Sequence, residues 1–199
     1  MKKWFSVLCC SLLLTSTAMA ADQAPDEVIK KTAGEVLTAI RNDPAMQAGD
    51  KQKIYTLIEE KILPNFDLDR VNRLVLGKHW KTATAEQKIA FRKEFREFVM
   101  RTYAAALSEY KGQEIQYKPF RAEEGAKIVT VNTQISQPSG PPLAVDYNLG
   151  KTNDGWKVFD IVVENVSLVA NYRGQFSSEI EQGSLDSLIK KLAEKNKTR

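Results

Sequence analysis

Residue types that do chemistry are scarce in this chain. His79 is its one histidine, and its two cysteines, Cys9 and Cys10, are adjacent. A single imidazole excludes paired-histidine metal sites, so no metal ligand set is expected. His79 stands between Lys78 and Trp80 just past a helix end, the place of a surface or capping side chain rather than a general base. No glycine-rich phosphate loop, G-x-S-x-G elbow or D-x-D-x-D-G calcium loop occurs. The one carboxylate in a suspicious setting is Asp160, which strand alternation from Trp156 to Val163 puts on the face of Trp156, Val158 and Val162. An unpaired carboxylate there would be costly. Asp160 is therefore either paired, by Arg173 or nearby backbone N–H groups, or it is a proton-transferring acid in a conical pocket. The inventory holds no catalytic constellation and calls for no cofactor.

The elements that would position such residues are those of a globular chain. Of 199 residues, 43% are hydrophobic and 27% charged, with 10 Gly and 7 Pro, which excludes collagen-like, linker-rich and disordered classes. Mean hydropathy is -0.36. Lys2 and Lys3 precede an apolar run, Trp4 to Leu14, which ends in TSTAMA. This is the pattern of a secretory signal peptide over residues 1–20, cleaved after Ala20 with Ala21 as a neighbouring alternative. The run is shorter than the roughly 20 apolar residues a spanning helix needs. A lipid anchor at Cys9 or Cys10 is disfavoured because Leu8, not a small residue, precedes Cys9. Residues 21–199 then form one thiol-free domain, stabilised by its core alone and able to bury roughly 70% of its unfolded surface.

Losing Lys2 and Lys3 takes the 29 basic residues to 27 against 25 acids, so the net charge falls from +4 to +2. Much of the remaining basicity sits in the tail KKLAEKNKTR, read as a solvated, frayed end or as a weak attraction to anionic head groups. Nucleic acid is not expected as a partner, since no basic face is interleaved with aromatics.

Apolar period divides the domain. Helical spacing predicts helices over Asp26–Arg41, Asp50–Leu63 and Leu68–Leu76, the last stopped by Gly77. A long helix starts at the capping-box pair Thr84 and Gln87 and runs to Lys111. Its stripe, Ile89, Phe91, Phe95, Phe98, Val99, Tyr103, Ala106, Leu107 and Tyr110, is wide enough to lie across a sheet or a cavity. The period then becomes two in four strands, Glu114–Pro119, Lys127–Ile135, Leu143–Leu149 and Trp156–Val163, three of them a meander. Two helices close the chain, around Asn171–Glu181 and Ser184–Leu192. The expected fold is α+β, with helices across one face of a curved, mainly antiparallel four-stranded sheet, making a cone with an internal apolar pocket.

Several segments carry a resemblance beyond their periodicity. In order they are LPNFD (Leu63 to Asp67), LVLGKHW (Leu74 to Trp80), TATAEQ (Thr82 to Gln87), the F-x-x-x-F-x-x-F-x-x-x-x-Y run from Phe91 to Tyr103, WKVFDIVVENVSLV (Trp156 to Val169) and GSLDSLIKKL (Gly183 to Leu192). The chain resembles the MlaC family, periplasmic phospholipid-binding proteins of the pathway that maintains outer-membrane lipid asymmetry, also known as toluene-tolerance proteins. The resemblance implies a nuclear-transport-factor-like cone and a periplasmic, monomeric, non-enzymatic shuttle whose cargo is diacyl phospholipid. It also implies two protein partners, an outer-membrane lipoprotein–porin complex and the lipid-binding ring of an inner-membrane ABC transporter. Within it, the expected pocket wall is Leu74, Val75, Trp80, Phe95, Phe98, Val99 and Tyr103 from the helices. Val129, Val131, Tyr147, Phe159, Ile161, Leu168, Val169 and Tyr172 come from the sheet and the segment C-terminal to it. Arg101 and Arg173 are candidate head-group cations. Rival readings are a small-molecule enzyme on a similar cone and a lipoprotein chaperone or scaffold.

Overall fold

A computed structural model describes residues 23–197, so the segment read as a signal peptide, with Cys9 and Cys10, lies outside the described residues. Helix starts follow side chains able to satisfy free N–H groups. Helix α1, Pro25–Asn42, has proline in its first turn, and Lys30 pairs with Asp26 and Glu27, each at 2.9 Å. Asp43 then caps the short α2, Pro44–Gln47, and Asp50 caps α3, Lys51–Leu57. The expected helix to Leu63 does not continue as one: α3 widens into a π-helical turn, Ile58–Ile62, and tightens into a 3-10 turn, Leu63–Asn65, at Pro64. Asp67 caps α4, Leu68–Leu76, accepting from Arg70 N–H at 2.9 Å. Gly77, at φ 53° and ψ -122°, turns the chain into α5, Lys78–Thr82.

The long helix α6, Ala85–Ser108, starts on the expected capping box, with Thr84 and Gln87 bonding each other's backbone N–H at 3.0 and 3.2 Å. It ends three residues before the expected Lys111, because Glu109 and Tyr110 close back on Ala106 and Leu107 in tight turns. Ile89, placed by its spacing on the apolar stripe, is 67% exposed.

Five strands follow in order as one antiparallel meander: β1 Ile115–Tyr117, β2 Ile128–Ile135, β3 Leu143–Thr152, β4 Gly155–Val163 and β5 Val166–Ser167. The expectation of four strands is thus corrected. The fifth is two residues long and is made by a turn at Glu164 and Asn165, both at positive φ (46° and 64°), which folds β5 back on β4. A second correction concerns β4. Leu149 pairs with Val158 and Asn148 with Asp160, so Phe159 is an extra, bulged residue. Every side chain beyond it changes face, and Asp160 leaves the face of Trp156 and Val158.

Helix α7, Leu168–Gln182, starts directly after β5 and α8, Leu185–Lys197, ends the described chain. The basic tail expected to fray is helical as far as Lys197, the last described residue. Asn196 is buried, and its amide donates to the Glu94 carbonyl and carboxylate at 3.0 and 2.9 Å.

Among the described residues, buried side chains form four clusters rather than one core. The largest joins α4 to α8 around Phe91, Phe95, Phe176 and Leu188, with the Phe91 and Phe95 rings 5.3 Å apart and Phe176 edge-on to both. A second packs Val28 and Ile29 of α1 on the sheet residues Val129, Val131, Leu149 and Val158. Two smaller ones join Ile54 and Ile58 to Met100, and Val36 and Ile40 to Leu57. Phe91 has no exposure. Phe91→Ala is expected to lower unfolding free energy by about 3–5 kcal/mol, read from the urea midpoint.

Candidate functional site

Between these clusters, sheet and helices enclose a cavity of about 890 Å³. Its walls come from α1, the π-helical turn, α4, α6, strands β1 to β4 and the start of α7. Along α6 it runs from Arg92 to Leu107, about 23 Å of helix at 1.5 Å per residue. One leaflet of a bilayer's hydrocarbon core is about 15 Å deep, so the cavity is longer than a leaflet. Its lining is overwhelmingly hydrocarbon. A ligand that fills it removes apolar lining from water and so adds to the stability of the folded chain.

Ten of the residues expected at the wall are there: Val75, Phe95, Val99, Tyr103, Tyr147, Phe159, Ile161, Leu168, Val169 and Tyr172. Five are elsewhere. Leu74 and Phe98 face the helical cluster, Phe98 meeting Tyr172 with centroids 6.0 Å apart. Trp80 packs against the same cluster from its edge, beneath Lys88 and Arg92, 5.4 and 5.2 Å from its ring. Val129 and Val131 point to the sheet's inner face, but Val28 and Ile29 of α1 cover them. The physical reason is shared: each apolar stripe or face is wider than the cavity, and neighbouring elements cover the part of it that lies beyond the cavity wall.

Sequence reasoning missed the contribution of α1, where Ile29, Thr32, Ala33, Val36 and Leu37 line the cavity, and of Ile58, Ile62 and Leu63. The i, i+3, i+4, i+7 pattern of α1 was the available signal, although it does not say what the stripe faces. Phe159 owes its place to the bulge and to Arg70, whose guanidinium lies 3.5 Å over its ring. Gly150 leaves room for that arginine, since a Cβ there would sit 2.4 Å from its guanidinium nitrogen.

The polar candidates have structural partners. Asp160 accepts from Ser167 Oγ at 2.6 Å and from Val169 N–H at 3.0 Å, while Ser167 accepts from Ala170 N–H. It therefore fixes the first turn of α7, and its partner is a backbone N–H rather than Arg173. Arg173 instead donates to the Leu74 carbonyl at 2.7 Å, and Arg101 pairs with Glu97. Neither arginine lines the cavity. His79 Nε2 sits 3.2 Å from Ser177 Oγ. Among the described residues no group of three or more His, Cys, Asp or Glu could hold a metal ion.

Two tyrosine hydroxyls reach the apolar interior. Burial pushes Tyr147 up to about 12, and burial together with Tyr172 pushes Tyr103 well above the usual phenol range. At the surface, burial raises Glu97, but hydrogen bonds from Tyr55 and Arg101 outweigh it and hold its carboxyl below the usual range.

Fold and site together define a class, an α+β binding protein whose helices and meander enclose a long apolar cavity. The model of the family described as MlaC protein matches residues 30–194. The chain is 28% identical to the intermembrane phospholipid transport system binding protein MlaC of Haemophilus influenzae, covering 96% of this chain and 92% of that one. It is 26% identical to the toluene tolerance protein ttg2D of Pseudomonas putida, over 83% and 77% of the two chains. A solved phospholipid-binding protein from Ralstonia solanacearum, in complex with a phospholipid, superposes with a TM-score of 0.81 at 34% identity, covering 87% of this chain and 97% of its own. This chain belongs to the MlaC family.

Two outcomes are expected from the buried polar groups. Tyr147 is raised from 10.0 to about 12, so its buried neutral hydroxyl contributes stability that is complete below pH 10 and lost as pH rises towards 12. Unfolding free energy is expected to fall over that window, and less steeply in Tyr147→Phe; equal slopes would refute the raised value. Asp160→Ala leaves the Ser167 hydroxyl and Val169 N–H without their acceptor and is expected to cost about 1–3 kcal/mol in urea unfolding.

Proposed function

We propose that this protein is a periplasmic phospholipid carrier that accepts diacyl lipid from one membrane complex and delivers it to another, holding the acyl chains in the cavity between sheet and helices. The cavity carries the reading. Its 890 Å³ lies near the upper end of ordinary ligand sites, about 300–1,000 Å³, and hydrocarbon lines a path longer than one leaflet. The names of the relatives and the phospholipid held by the Ralstonia structure support it.

The energetics suit a shuttle. Thirty buried methylenes at about 0.8 kcal/mol each amount to roughly 24 kcal/mol, which bars free lipid from crossing water at useful rates. An apolar cavity offers nearly what a bilayer offers, so exchange is close to neutral and partners can set its direction. In this reading the partners are an outer-membrane lipoprotein–porin complex and the lipid-binding ring of an inner-membrane ABC transporter. The mature chain meets them as a freely diffusing monomer after its signal peptide is removed. Among the described residues no helix is long and apolar enough to cross a membrane. The chain acts without catalysis: its one suspicious carboxylate, Asp160, is engaged by Ser167 and the first turn of α7.

Native mass spectrometry of protein purified from the periplasm is expected to show stoichiometric phospholipid. Ala33→Trp, which fills the cavity from α1, should keep the fold by circular dichroism and lose most of that lipid. A wild-type chain that carries none, or only peptide, would overturn the carrier reading and favour a chaperone or scaffold.

A further inference from the structure

Helix α1 bridges the sheet and the helical layer along the cavity, and its two halves belong to different cores. In the first half, Val28 and Ile29 lie on Val129 and Val131 of the sheet. In the second, Val36 and Ile40 pack with Leu57 of α3, and Glu35 pairs with Lys61 of the π-helical turn at 3.4 Å. The first half has no such polar tie. Lys30 bonds Asp26 and Glu27 within the helix, and among the described residues no hydrogen bond or ion pair joins residues 25–34 to another element. Between the two anchors Thr32 and Ala33 line the cavity, while Gly34 behind them is exposed, with nothing within 4 Å of the place a Cβ would take. The wall here is a single helix with small side chains. Neither a close approach nor a left-handed turn calls for glycine at this position, and inside a helix glycine loosens the backbone.

From this division we propose that α1 is a gate for acyl chains: residues 25–33 swing off the sheet about Gly34, while residues 35–42 stay docked on α3 and the π-helical turn. The proposal rests on the carrier reading and adds a route to it. Apolar contact alone holds the moving half, and such contact has no direction, so it re-forms against an acyl chain as readily as against the sheet. The fixed half keeps its ion pair and its own buried cluster throughout. Swinging uncovers Val129 and Val131, which are 8% and 1% exposed while α1 covers them. Val131 pairs across β2 and β3 with Tyr147, and Tyr147 lines the cavity, so the uncovered strip continues the cavity wall. A chain slides along that strip into the cavity with little of its length in water. Val129 and Val131 thus meet cargo in transit, although α1 covers them at rest.

Both native cysteines, Cys9 and Cys10, precede residue 21, so the full-length mature chain can carry one engineered thiol. Val131→Cys puts that thiol beneath the first half of α1, and its rate of modification by excess maleimide reports the opening. Adding Gly34→Ala, which meets no neighbour, is expected to slow modification about fivefold, the difference in helix propensity between the two residues. In the chain with its native Val131, Gly34→Ala should slow by a similar factor the transfer of isotope-labelled phosphatidylglycerol to phosphatidylcholine vesicles, followed by mass spectrometry. Thr38→Ala strengthens the same helix within its docked half, where Thr38 is exposed, and should leave both rates unchanged. Equal slowing by Gly34→Ala and Thr38→Ala would mean that the thiol is reached by global unfolding, and would overturn the gate. A modification rate that Gly34→Ala leaves unchanged overturns it as well. Both of these results leave the carrier reading standing when the chain holds lipid, whereas a chain without lipid removes the carrier and the gate together. The transfer rates keep valine at residue 131, so poor folding of Val131→Cys would not blunt the test.

Discussion

Strand β4 holds the helices at a distance from the sheet, and the cavity depends on that separation. Three polar ties do this. Asp67 N–H donates to the Val158 carbonyl at 2.9 Å, Lys157 Nζ to the Pro64 carbonyl at 2.7 Å, and Val169 N–H to the Asp160 carboxylate at 3.0 Å. Apolar contact has no direction, so helices with wide apolar faces would otherwise close on the sheet until the space between them was gone. Hydrogen bonds fix both distance and angle, and here they fall on one strand. Two of the segments that carry the family resemblance, Leu63 to Asp67 and Trp156 to Val169, meet at these ties.

The consequence for packing is a core in pieces. Four clusters of buried side chains surround the cavity, and the aromatic one at α4 to α8 contains its own stack of rings away from the sheet. A divided core is stable only if each part is well packed, and Phe91, Ile54, Leu149 and Val158 are each at or below 1% exposure. The π-helical turn at Ile58 to Ile62 fits this division. It lets one segment turn Ile58 to the Ile54 and Met100 cluster while Ile58 and Ile62 also reach the cavity.

Much of the fold was legible in the sequence because its signals are local. Caps at Asp50, Asp67 and Thr84, glycine at residue 77 and the change of period after Gly112 each act within a few residues. The fifth strand was missed because Glu164 and Asn165 adopt positive φ without glycine, and the bulge at Phe159 was missed because alternation alone cannot register an extra residue. The same bulge decided Asp160, whose apparent place among apolar neighbours came from counting straight through it. The frayed tail was misjudged from composition, since Asn196 is held by Glu94, far away in sequence.

The site was legible in kind and only partly in residues, for a thermodynamic reason. A side chain that will touch cargo and one that will touch a neighbouring helix are both apolar, because both leave water by the same driving force. Phe95 and Phe98 lie on one stripe three residues apart, and only tertiary contact lets the first reach the cavity as well as the helical cluster while the second meets the helices alone. In a carrier this ambiguity has a physical counterpart, since cargo completes the core. A ligand that binds only the folded state, present at a hundred times its dissociation constant, adds about 2.7 kcal/mol of stability. During transfer that contribution is lost, and the four protein-only clusters and the ties on β4 must hold the chain alone. In the carrier reading, the aromatic cluster at α4 to α8 is therefore as much part of the transport device as the cavity wall, because it would keep the chain folded between one lipid and the next.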